Sequence, residues 1–202
     1  NDTGEFQEKS LNPKNPYALK RLHAFLSPLG FAYDARAVDY TMILCDAHGE
    51  IAGTGSFQGQ VLKYVAVAPE HRATDALPVI VTHLINLLMR GHDQIFAFTR
   101  PASAGSFVRL GFTEIATAEP LYTLLEFGYR SIRDYQNYLV SRKAVPVRQP
   151  VSAVVVNCNP FSNGHKYLIE TAASQSRTVY LFVVEEDRSA FPFRDRWDLI
   201  EE

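Results

Sequence analysis

Apolar positions along this chain follow two periods, and the switches between them mark out its elements. From Tyr17 to Leu29, residues Leu19, Leu22, Phe25 and Leu26 share one helical face, and Gly30 supplies the stop. Val38–Cys45, Ile51–Phe57 and Val61–Val67 read as strands, the first two joined by the turn Asp46-Ala47-His48-Gly49. Helical spacing returns over Ala76–Met89, with Leu77, Val81, Leu84 and Leu88 as its stripe. Gln94–Phe98 predicts a strand, and Ser103–Leu110 a short helix closed by Gly111. Phe112–Ala116 and Leu121–Phe127 predict two more strands. Ser131–Val140 carries Ile132, Tyr135 and Leu139 at helical spacing. Val151–Val156 is an unbroken apolar run, as expected of a strand buried in a parallel sheet. Leu168/Ala172 and Ile169/Ala173 then mark a helix, Thr178–Val184 a second strand, and Trp197–Glu202 the opening of another helix.

Two stretches follow neither period. Residues 1–14 are polar and predict a flexible N-terminus, and residues 143–150, with two prolines and several charges, predict a linker. The fold class is therefore α/β in two parts. A mixed-sheet domain is expected over 15–142 and a parallel α/β domain over 151–202. In the second part, strand–helix–strand implies a parallel pair with a right-handed crossover, and ligands bind outside the carboxyl ends of such strands. Two strands alone make a poor sheet, so this second domain is expected to be incomplete.

Composition narrows the function classes. A net charge of −2 without a basic block disfavours nucleic acid as a partner. The longest apolar stretch, Leu77–Met89, is too short and too polar to span a membrane. The two cysteines, Cys45 and Cys158, are far apart in apolar surroundings, which points to a reduced, cytoplasmic protein. No metal-ligand cluster is expected, because Glu185, Glu186 and Asp187 read as a solvated acidic loop.

The candidate chemistry lies where the Val151–Val156 strand gives way to a helix. Asn157, Asn159 and Pro160 break the strand, and Phe161, Ser162, Asn163, Gly164 and His165 follow. A hydroxyl, a glycine and an imidazole thus gather at a helix N-terminus, where free N–H groups and the dipole favour phosphate. Gly164 permits close approach of backbone to a ligand.

Asn159-Pro160-Phe161-Ser162-Asn163-Gly164-His165 resembles the H-x-G-H or T-x-G-H signature of the nucleotidyltransferase superfamily, with Ser162 keeping the hydroxyl of the threonine version. That resemblance implies a Rossmann-like domain in which His165 stabilises charge on ATP phosphates. The element order of the first part, with Val67-Ala68-Pro69 and Leu110-Gly111-Phe112, resembles the GNAT acyltransferase fold. It departs from that family where Arg72-Ala73-Thr74-Asp75-Ala76-Leu77 replaces the glycine-rich pyrophosphate loop, and where Phe107 stands at the usual tyrosine acid. A phenylalanine has no proton to donate.

Together the two halves resemble the citrate lyase ligase family, most closely over Ser152–Ile200. The resemblance implies an acid-thiol ligase that uses ATP and Mg²⁺ to activate acetate as acetyl adenylate. It would then acetylate the CoA-like prosthetic arm of the citrate lyase acyl-carrier subunit and release AMP and pyrophosphate. Ser162 and His165 would be catalytic, with Asn159, Pro160, Phe161, Gly164 and Arg196 binding nucleotide and Val67 and Arg72 holding the arm. The alternatives are a CoA-dependent N-acetyltransferase of the GNAT type, a nucleotidyltransferase making a small cofactor, and a non-enzymatic module that docks an acyl-carrier protein.

Overall fold

The computed structural model describes residues 6–142, 147–185 and 190–201. It divides into two compact units, Asn1–Tyr138 and Leu139–Glu202. Parts of three expectations lie outside the described residues: the start of the flexible N-terminus, residues 143–146 of the linker, and Glu186–Arg188 beyond the second strand.

The first unit is a seven-stranded sheet with helices. In chain order the elements are β1 (Gln7–Ser10), α1 (Pro16–Leu26), β2 (Tyr40–Cys45), β3 (Ile51–Gln58), β4 (Val61–Val67), α2 (Ala76–Leu88), β5 (Gln94–Thr99), α3 (Pro101–Val108), β6 (Thr113–Ala118), β7 (Tyr122–Gly128) and most of α4 (Ile132–Ser141), whose last residues belong to the second unit. The sheet order is β1-β2-β3-β4-β5-β7-β6. All pairs are antiparallel except β4–β5.

Alternation along the strands sorts side chains to two faces. Met42 and Leu44 of β2 join Ile80, Val81, Leu84 and Leu88 of α2 in the main core, with Ile95, Leu125 and Phe107. Ile43 and Cys45 join Leu22 and Leu26 of α1 in a second core on the opposite face. Glycines of β3 let α2 come this close. A Cβ on Gly53 would sit 2.6 Å from Ile80 Cδ1 and 2.9 Å from the Ala66 carbonyl oxygen. One on Gly55 would sit 2.7 Å from Leu84 Cδ1.

The two central parallel strands part almost at once. Only Val61 and Leu62 of β4 pair with β5, opposite Phe96 and Ala97. Tyr64 then takes a left-handed conformation, φ 50°, and the β3–β4 register shifts. The rest of β4, ending at Val67, has no ladder partner in β5.

One expectation for this unit needs correction. The predicted flexible segment 1–14 contains β1, which pairs residue for residue with β2 from Gln7↔Cys45 to Ser10↔Met42. All four β1 side chains are exposed, so the strand is held by backbone pairing and leaves no apolar alternation in the sequence.

The second unit holds β8 (Val151–Val156), α5 (Asn163–Gln175), β9 (Thr178–Val183) and α6 (Phe193–Glu201). β8 and β9 pair in parallel, in register from Val151↔Thr178 to Val156↔Val183. The residues before β8 are tied to the start of β9: Arg148 N–H donates to Thr178 Oγ1, and that hydroxyl donates back to the Arg148 carbonyl. Val154, Val156 and Cys158 form the core, with Phe161, Ala172 and Ile200 against it. The expectation that β8 is buried on both faces does not hold, since Val155 is 69% exposed. The β-branched run reads as doubly buried, whereas here only the Val154/Val156 face is covered. Among the described residues, no helix is long and apolar enough to cross a membrane.

Candidate functional site

The turn after β8 brings the predicted phosphate residues together. Ser162 is the N-cap of α5, with extended backbone (φ −133°, ψ 164°), and Gly164 and His165 lie in its first turn. The Ser162 carbonyl accepts the first helical hydrogen bond, from Lys166 N–H. His165 is three residues on, so its ring folds back over the cap. Nδ1 lies 3.2 Å from Ser162 N and 2.8 Å from Ser162 Oγ. Because the backbone N–H can only donate, Nδ1 is the acceptor, and in the neutral ring the proton sits on Nε2. Among the described residues Nε2 has no hydrogen-bond partner. Phe161 stacks beside the imidazole, ring centroids 6.1 Å apart at 24°.

A Cβ on Gly164 would meet nothing nearer than Ser162 Oγ at 3.7 Å, so protein packing does not require a glycine there. Pro160 follows Asn159 through a cis bond. Asn159 Oδ1 accepts from Phe191 N–H at 3.2 Å, tying the turn to the segment before α6.

Arg196 behaves differently from its expected place facing a ligand. It is fully buried, and α6 begins at Phe193, four residues earlier than the predicted helix. Its Nη1 lies 2.5 Å from the Asn157 carbonyl, 2.8 Å from Asn157 Oδ1 and 3.0 Å from the Val184 carbonyl, and Nε donates to the Phe191 carbonyl at 3.2 Å. The guanidinium therefore joins the carboxyl ends of both strands to the start of α6. Asn157 and Phe191 are the residues missed from the sequence. An asparagine at a strand end was a turn signal there, with nothing to mark it as half of a clamp. Next to this clamp, Cys158 is buried, which pushes its thiol pKa up, and Arg196 pulls it down less strongly.

The first unit's candidates are elsewhere. Val67 ends β4 where that strand has left β5. Arg72 is exposed, at the end of a 3₁₀ turn, Pro69–His71, with no side-chain hydrogen bond or ion pair among the described residues. Asp75 is the N-cap of α2 without a side-chain capping bond, and Leu77 packs against the main core. Phe107 is 6% exposed and meets Phe112 edge-on at 5.5 Å, so it is a core residue.

These features define a class first: a mixed-sheet unit of the GNAT fold, and a parallel β–turn–α–β unit with a serine–histidine pair at a helix N-terminus. The fold of the first is matched by two solved structures, each covering 62% of this chain and 100% of its own. One is an acetyltransferase of the GNAT family from Staphylococcus aureus Mu50 (TM-score 0.50, 15% identity), the other a GNAT-family protein from Desulfovibrio desulfuricans (TM-score 0.50, 14%). Residues 151–202 match the family described as citrate lyase ligase C-terminal domain.

Over most of its length the chain is similar to citrate lyase ligases. It is 35% identical over 164 residues to the [citrate [pro-3S]-lyase] ligase of Klebsiella pneumoniae, covering 79% of this chain and 46% of that protein. It is 32% identical over 152 residues to the ligase of Escherichia coli K12, covering 75% and 43%. It is 30% identical over 187 residues to that of Haemophilus influenzae, covering 91% and 54%. The chain thus spans about half the length of the curated relatives it matches.

Proposed function

We propose that the complete protein is an ATP-dependent acid-thiol ligase of the cytoplasm. It activates acetate as acetyl adenylate and then acetylates the prosthetic-group thiol of the citrate lyase acyl-carrier subunit. In the first step an acetate oxygen bonds to the α-phosphorus of ATP and pyrophosphate leaves. In the second, the thiolate attacks the acyl carbon and AMP leaves. The observation that carries this reading is the tethered imidazole. His165 Nδ1 is held by Ser162, which leaves Nε2–H as a fixed donor at a helix N-terminus, and donors fixed before reaction stabilise developing phosphate charge best.

Within that reading Ser162 and His165 are catalytic, and Asn159, Pro160, Phe161 and Gly164 form the wall along the phosphates. Arg196 acts through Asn157, by holding the turn in place. Among the described residues, no three His, Cys, Asp or Glu side chains gather to hold a metal. Mg²⁺ bound with ATP would supply countercharge to the phosphates. Val67 and Arg72 are the residues proposed to hold the CoA-like arm, beside the parted β4 and β5.

A second reading, a CoA-dependent N-acetyltransferase, draws on the fold of the first unit. Phe107 counts against it, because an apolar core ring stands where a proton donor is needed. The test is pyrophosphate exchange into ATP by the full-length protein. The ligase requires exchange that depends on acetate, with acetyl transfer to the acyl-carrier thiol. Acetate-independent exchange, or efficient acetyl transfer from acetyl-CoA to simple amines, would overturn it.

A further inference from the structure

Among the described residues, Tyr64 and Cys158 are the non-glycine positions with a left-handed backbone, and Cys158 (φ 51°) lies between the end of β8 and the Ser162–His165 turn. That conformation crowds any residue with a Cβ, so glycine is what such a position ordinarily selects. A side chain persists there when its surroundings fix it, and residues held in this way gather where a functional loop is aimed. The surroundings of Cys158 do fix it. Its side chain is fully buried and forms one core with Val154 and Val156. Both neighbours in the chain are pinned as well: Asn157 gives its carbonyl and Oδ1 to Arg196, and Asn159 Oδ1 accepts from Phe191 N–H. A cysteine is unbranched at Cβ, which the left-handed backbone tolerates, and apolar enough to anchor it. The core it anchors reaches the imidazole through one ring. Phe161 packs against Val154, Val156 and Cys158 on one side and stacks on His165 on the other.

We propose that Cys158 is a positioning residue for the Ser162–His165 pair: its buried side chain fixes a left-handed bend at the end of β8, and the bend sets where Phe161 and His165 stand. The role rests on the adenylation reading given above, in which the His165 Nε2–H faces the ATP phosphates. Cys158 acts through the backbone and through Phe161, and its thiol takes no part in making or breaking bonds. Three substitutions separate the components of this role. Cys158→Val puts a branched Cβ where the left-handed backbone is a genuine outlier, so the bend must open and carry Phe161 with it. Cys158→Ala keeps the Cβ in the core and the same backbone, without a thiol. Cys158→Gly takes up the bend freely but has no side chain to anchor it.

The test uses the full-length protein and two readouts. One is acetate-dependent pyrophosphate exchange into ATP. The other needs no substrate: nitrogen NMR reads the Ser162 N–H to His165 Nδ1 hydrogen bond as a coupling between the two nitrogens. Hydrogen exchange over β8 checks that the second unit is folded. C158V, folded, should lose the coupling and lower kcat by ~10²-fold, the usual effect of a displaced catalytic group, with a smaller change in KM for ATP. C158A should keep the coupling and most of the exchange. Where C158V does not fold, C158G decides, and it should weaken coupling and kcat together. Wild-type coupling and kcat in folded C158V, or in C158G, would overturn the proposal. So would loss of exchange in C158A with the coupling intact, because the thiol itself would then be acting. A wild-type protein that shows the coupling but no acetate-dependent exchange would sink the ligase reading alone, and loss of the coupling in C158V would still uphold the bend as what places His165.

Discussion

The two units solve the same problem, fixing loop residues at the ends of strands, with different means. The first does it with volume: two apolar cores on opposite faces of a seven-stranded sheet, and glycines that bring α2 within contact of β3. The second has two strands and a core of Val154, Val156 and Cys158, so burial alone offers little. It places one buried guanidinium across the strand ends instead. An apolar core tolerates gradual loss, whereas a polar clamp fails as a unit, because removing its one donor breaks all of its hydrogen bonds together. The proposed chemistry sits accordingly: the large core carries a frame, and the clamped turn carries Ser162 and His165.

The largest effect expected is on the clamp. Arg196→Met keeps length and packing but removes the donor from the part-buried hydrogen bonds to the carbonyls of Asn157, Val184 and Phe191, each a bond to a charged group worth ~1.5–3 kcal/mol. Hydrogen exchange should show protection lost over β8 and β9 while the first unit is unchanged. Retained protection over 151–156 would mean that the small core suffices and that the contrast between the units is wrong.

Leu84→Ala reverses the comparison. A fully buried leucine facing Gly55 should cost ~2–5 kcal/mol, lowering the first unit's melting temperature without changing exchange in β8 and β9. Gly53→Ala sharpens it, because the added carbon meets the Ala66 carbonyl as well as a movable Ile80. It should cost ~1–3 kcal/mol as overpacking. A neutral result in thermal melting would show that α2 can lift from β3.

The smallest effect is on pH dependence. Burial raises the Cys158 thiol pKa in the folded state, with Arg196 opposing, so folding favours the neutral thiol. That stability is fully present below the ordinary thiol range and is lost as pH rises through the folded pKa. Chemical melting of the second unit should therefore weaken at alkaline pH, and Cys158→Ala should flatten the dependence. Rapid alkylation of Cys158 at neutral pH in the folded protein would contradict its burial.

What the sequence disclosed depended on range. Most strands of the first unit were readable because alternation is local, and the placing of Ser162, Gly164 and His165 at a helix start because strand breakers and helical spacing flank them. β1 was not readable, since its four side chains face solvent and its partner lies over thirty positions away. Arg196 was expected to face a nucleotide; its burial depends on Asn157, 39 residues earlier. The hydrogen bonds of His83 to Glu8 and to Tyr40 span separations of 75 and 43 residues and leave no local trace. Val155 misled in the other direction, because a β-branched run looks the same whether one face is covered or two.

The central claim is that His165 works through Nε2, with Nδ1 tethered to Ser162. Acetate-dependent pyrophosphate exchange in the full-length protein, compared between His165→Gln and His165→Asn, tests it most directly. A glutamine amide nitrogen reaches the Nε2 position, and an asparagine amide reaches only that of Nδ1. The account predicts that His165→Asn loses exchange by ~10²–10³-fold, as removal of one charge-stabilising donor does, and that His165→Gln retains a measurable part of it. Near wild-type exchange in His165→Asn, or equal loss in both variants with both folded, would contradict the account.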